Sequence, residues 1–158
     1  MKRGTTLFLK LAVILIGIPV LALGIWGVFD LTKNPVNPDY AHILYPIVIG
    51  IYVSAIPFYM ALYQALRILG YIDKNEAFSE VSIKALSRIK KDAIVISIVY
   101  VLMIPFIFLL AQIEDAPGLI LFGMVPIFAS IVIAVFAAVL QRLLQQAIDI
   151  KSENDLTV

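Results

Sequence analysis

The chain has 158 residues, of which 62% are hydrophobic and 15% charged, and its formal net charge is +1. Mean hydropathy is +1.01, and soluble domains carry charge on about a quarter of their residues. This composition excludes an ordinary soluble domain.

Four apolar stretches follow in order: Leu11–Phe29, Ile43–Leu66, Ala93–Ala111 and Leu119–Leu140. Each approaches or exceeds the ~20 residues that cross a hydrocarbon core of ~30 Å. The predicted fold is all-α: a polytopic membrane protein with a four-transmembrane-helix bundle, formed by a single domain over residues 1–158. Met1–Gly24 also has the layout of a signal peptide. Its apolar run continues through Ile25–Phe29, which favours a retained first span. Cleavage would leave the orientation of the rest unchanged.

Basic residues decide that orientation. With the N-terminus in the cytoplasm, every lysine and arginine except Lys33 falls inside. Lys2, Arg3, Lys10, Arg67, Lys74, Lys84, Arg88, Lys90, Lys91, Arg142 and Lys151 make this a strong positive-inside pattern, with both termini cytoplasmic. The outer connections carry Asp30, Asp39, Glu114 and Asp115 instead.

In the first outer connection, Asn34-Pro35 and Asn37-Pro38 mark turns. Asn37 reads as an N-cap, with Pro38 at the first helical position. Asp39 and His42 lack a third ligand for a metal. Trp26, Phe29, Tyr40 and Tyr45 read as an outer aromatic belt, and Tyr59, Tyr63 and Tyr71 as an inner one. Proline recurs in every span, at 19, 46, 57, 105 and 126, where it removes a backbone hydrogen bond and shapes the helix. Small residues define a packing face: Gly50 and Ser54 in the second span, and Ser130, Ala134 and Ala138 in the fourth. Such residues let membrane helices approach closely, within the bundle or between copies in a homo-oligomer.

The cytoplasmic segment 67–92 is the most informative. Asp73–Glu76 reads as a turn. From Phe78 a helical period places Phe78, Val81, Ala85, Leu86 and Ile89 on one side, with Glu80, Lys84, Ser87 and Lys91 opposite and Arg88 at the boundary. Ile83 breaks the division. The expectation is a cytoplasmic amphipathic helix between spans 2 and 3, lying on the membrane interface. Phe78, Glu80, Lys84, Arg88 and Lys91 are its candidate face toward lipid headgroups or a protein partner. Direct nucleic-acid binding is not expected, because Glu76, Glu80 and Asp92 dilute the charge. The tail, 141–158, continues the last helix.

No catalytic, cofactor or metal site is expected. There is no cysteine and one histidine, and neither a GxxxxGK[ST] phosphate loop nor HExxH occurs. Serines 54, 97 and 130 have no ionisable partner within their own helices. Ion-coupled transport leaves a buried charge at a cost of about 2.5–3.5 kcal/mol on insertion scales, and the span centres have none. Lys10 and Asp92 stand at the boundary, where snorkelling accounts for them.

Leu66-Arg-Ile-Leu-Gly-Tyr-Ile-Asp-Lys-Asn-Glu-Ala-Phe-Ser79, followed by Val81–Ile89, resembles the YoaS-like family of uncharacterised four-helix bacterial membrane proteins. Asn34–Tyr40 and Ala147–Glu153 extend the similarity along the chain. The resemblance implies a bacterial cytoplasmic (inner) membrane and supplies no site residues. It also implies a partner class, since such proteins are often encoded beside a small helix-turn-helix regulator. The functional expectation is a non-enzymatic regulatory or interaction protein engaging a cytoplasmic partner of that kind. The alternative is a small permease or exporter component.

Overall fold

The computed structural model describes residues 3–156. The expected basic residue Lys2, the side chain of Arg3 and the last two tail positions lie outside the described residues. Four helices account for nearly all of the chain: α1 (Arg3–Lys33), α2 (Ala41–Asp73), α3 (Glu80–Ile113) and α4 (Gly118–Leu156). All four are long and apolar enough to cross a membrane. Their 31 to 39 residues make rods of roughly 45–60 Å, well beyond a ~30 Å hydrocarbon core. Each helix runs unbroken through its prolines.

Two connections use the same device. After α2, Asn75 takes a left-handed conformation with φ 59°. Glu76 N–H donates to Tyr71 O at 2.7 Å, and Asn75 N–H to Ile72 O at 3.1 Å. After α3, Asp115 has φ 51°, and Ala116 and Asp115 donate to Ala111 O and Gln112 O. Both are Schellman closures, which return bonds to carbonyls that the helix end leaves open. Asn and Asp tolerate the left-handed region through short polar side chains. The first outer connection differs from the sequence expectation. Asn37 Oδ1 accepts from Asp39 N–H at 3.1 Å, forming a local turn, and the helix starts only at Ala41. The asparagine oxygen is taken up two residues on and caps nothing.

A separate amphipathic helix between the second and third spans is not found. Helix α2 continues past Leu66 to Asp73, and Glu80–Lys91 form the first turns of α3. The loop shrinks to residues 74–79. Between Lys90 and Val95 there is no proline or glycine, so nothing stops the helix at Asp92. A bend there would cost backbone hydrogen bonds. The buried side of these turns is also rotated from the expectation. Ser82, Ile83 and Ala85 are buried, whereas Phe78 is 61% exposed and Val81 is exposed. Orientation is set further along, where Ala93, Ser97, Met103, Ile107 and Ala111 bury the same rod.

Packing follows chain order. Helix α1 packs on α2, α2 on α3 and α3 on α4; no α-carbon of α1 comes within 8 Å of one in α3 or α4 among the described residues. Ile43, Ile47, Met103 and Ile107 form the buried core between α2 and α3. Gly50 admits Met103, whose Sδ would lie 2.4 Å from any Cβ added there, and Gly123 admits Ile107 in the same way. Most other apolar side chains face outward, as expected where lipid is the solvent.

Candidate functional site

Helix α1 is apolar on all sides, so α2 holds it by polar contacts. Tyr52 and Tyr59 lie seven residues apart on α2. Their hydroxyls donate to the carbonyls of Gly24 and Gly17, also seven apart on α1, at 2.7 Å each. A backbone carbonyl already bonded within its helix keeps a second lone pair for this purpose. Glycine removes the side chain that would block the approach: a Cβ on Gly27 would sit 2.7 Å from the Tyr52 hydroxyl. The sequence reading put Tyr59 in an aromatic belt. The matching seven-residue spacings of tyrosine and glycine were the signal for this clasp.

At the end of the molecule where α1 begins and α4 closes, Asp73 at the close of α2 accepts from Thr6 and Lys10 of α1. Lys10 is therefore ion-paired at 2.7 Å, beyond the snorkelling expected of it. Nearby, the Arg67 guanidinium lies 5.9 Å and 5.7 Å from the ring centres of Tyr63 and Tyr71. It also donates to the Tyr71 hydroxyl at 2.7 Å. Stacking and hydrogen bonding together fix its position.

The candidate partner face is presented by the polar start of α3. Glu80, Lys84, Arg88 and Lys91 are exposed along three turns, with Phe78 exposed just ahead of them. The candidate packing face divides between interfaces. Gly50 and Ser54 turn toward α3, where the Ser54 and Tyr100 hydroxyls lie 3.3 Å apart. Ser130 is buried and returns its hydrogen bond to Pro126 O at 2.7 Å, satisfying itself within α4. Ala134 and Ala138 are half-buried, and the fully buried alanine of that stretch is Ala137.

Between α1 and the other three helices lies a cavity of about 630 Å³. All four helices line it; its few polar groups include the hydroxyls of Tyr52, Ser54, Tyr100 and Ser130, with Asp30 at one end. Among the described residues, no group of three His, Cys, Asp or Glu side chains could hold a metal ion, and nothing in the arrangement points to enzymatic activity.

These features define a membrane protein of four apolar helices. The chain belongs to the family described as "Protein of unknown function (DUF2975)", whose model matches residues 27–158. It is 58% identical over 160 residues to the uncharacterized membrane protein YoaS of Bacillus subtilis (strain 168), and the match covers 100% of both chains. The family resemblance read from the loop segment thus extends over the whole length. No solved structure matches the chain.

Proposed function

We propose that this is a non-enzymatic integral protein of the bacterial cytoplasmic membrane, with both termini in the cytoplasm, that engages a cytoplasmic partner through the start of α3 and the end of α4. The observation that carries this reading is the continuity of α3. The exposed turns bearing Glu80, Lys84, Arg88 and Lys91 belong to the same rod as the third span. A protein bound there would act directly on a membrane-embedded helix. A small helix-turn-helix regulator is the partner proposed, following the family resemblance; the face itself recognises charge. A photocrosslinker at Glu80 or Lys91 in native membranes tests this. Capture of a helix-turn-helix protein is expected, and capture of lipid alone would refute it.

The cavity beside α1 favours a second reading, a small permease or exporter component. Pockets between helices of a bundle, apolar with few polar groups, are where small molecules bind. Absence of solute flux across reconstituted vesicles would remove it.

A further inference from the structure

A second, much smaller notch lies between α2 and α3 at their polar ends. It is lined by Gln64 and Arg67 of α2 and by Lys84 and Arg88 of α3, with Val81 and Ala85 beneath. Three cationic side chains from two helices therefore converge on one concavity, and no carboxylate lines it. The nearest acids along α3 are Glu80, exposed one turn before Lys84, and Asp92, buried one turn after Arg88. Arg67 is held by its two tyrosines, and its bond to Tyr71 occupies one of five guanidinium donors. Gln64 is 6% exposed, and its Oε1 has no hydrogen-bond partner. A buried carboxamide oxygen left so is costly and calls for a hydrogen-bond donor.

From this juxtaposition we infer that the notch is a phosphate-binding site. Arginine supplies paired N–H donors that match phosphate oxygens, and lysine adds a point charge. The Gln64 amide donates to an oxyanion through its NH₂, while its oxygen takes a hydroxyl donor such as that of a glycerol headgroup. Size agrees. The notch measures about 60 Å³, several times the ~10–15 Å³ needed by one ordered water, so it fits a tetrahedral phosphate and excludes a nucleotide. Its level in the molecule favours a phospholipid over the free ion. Gln64 and Arg67 stand where the apolar stretch Ile43–Leu66 ends, and Lys84 and Arg88 just before the one that begins at Ala93. Basic pockets between membrane helices at headgroup depth take anionic lipids. This inference does not rest on the partner reading, although Lys84 and Arg88 belong to both surfaces.

Native mass spectrometry tests it on the full chain, released from phosphatidylcholine nanodiscs containing phosphatidylglycerol. The wild-type protein is expected to retain phosphatidylglycerol in preference to phosphatidylcholine. R67Q and R88Q should each weaken that retention about tenfold, the loss expected for one charge-assisted contact. K74Q, which removes an exposed charge at the same end but outside the notch, should leave it unchanged. Should R67Q fail to fold for want of its tyrosine stack, K84Q and R88Q carry the test, with helicity by circular dichroism as the control. In phosphatidylcholine-only nanodiscs, binding of inorganic phosphate that R88Q abolishes would support the site and assign it to the free ion. Equal losses in K74Q and R88Q, or full phosphatidylglycerol retention in a K84Q/R88Q variant, would overturn it. Neither outcome depends on whether Glu80 or Lys91 crosslinks to a protein.

Discussion

Lys10 Nζ lies 2.7 Å from Asp73 Oδ2, joining the first turns of α1 to the last turn of α2. Thr6, fully buried, donates to the other oxygen of the same carboxylate. The acid therefore serves both partners, and its removal should cost more than removal of either one. Asp73→Ala is expected to destabilise by about 1–3 kcal/mol, because the Thr6 hydroxyl and Lys10 both lose their acceptor. Lys10→Met removes a partly exposed ion pair and should cost about 0.5–1 kcal/mol. Thermal unfolding in detergent checks the order, and equal midpoints for the two variants would refute it.

The tyrosine clasps should behave as two independent bonds. Interhelical hydrogen bonds in membrane proteins average about 0.6 kcal/mol and reach about 1.7. Tyr52→Phe and Tyr59→Phe should each lower unfolding free energy by that much. The sites stand about 10 Å apart along the helix, so the double variant should show their sum. Gly27→Ala should cost as much as Tyr52→Phe and little more in its presence, because its methyl displaces the same hydroxyl. Titration with sodium dodecyl sulfate measures all five variants.

Gly50 and Met103 should be coupled. A methyl at Gly50 meets Met103 Sδ at 2.4 Å and Cγ at 2.7 Å, both on a flexible side chain. Gly50→Ala is expected to cost about 1 kcal/mol, and Gly50→Leu toward 3, the usual range for overpacking. Shortening the neighbour by Met103→Ala should remove most of the Gly50→Ala penalty. A double-mutant cycle with no coupling would place Met103 elsewhere.

The chain lacks cysteine, so single cysteines can report the orientation directly. Asn37 and Ser152 are exposed at opposite ends of the molecule. In intact cells, N37C should react with an impermeant maleimide, and S152C only after permeabilisation. The reverse result would invert the topology read from the basic residues.

The spans themselves were plain in the sequence, because hydropathy over ~20 residues reports the solvent directly. Their ends were not. Arg67–Asp73 and Glu80–Asp92 were read as loop and interfacial helix because polarity changes there, yet a helix has no obligation to end where the membrane does. Only the Asn75 turn interrupts the backbone, and a left-handed asparagine is hard to tell from one in a longer loop. The face of Glu80–Lys91 was misjudged for a related reason. Its own period placed Phe78 and Val81 inward, but the rod is oriented by Met103 and Ile107 several turns away. Lys10 was legible as a boundary residue and Arg67 as an inner basic one; their partners, distant in sequence or one turn away, became visible only with the helices side by side.

Packing in strict chain order has a consequence for biogenesis. Among the described residues, close backbone approach joins each helix only to the ones before and after it, so each of these seams is complete once the later of its two helices has been synthesised. Assembly can follow translation hairpin by hairpin, and no early segment need wait for the C-terminal one to cover its partner. Damage should stay equally local: a fault in α4 would disturb its seam with α3 while leaving the tyrosine-held pair at the other edge intact.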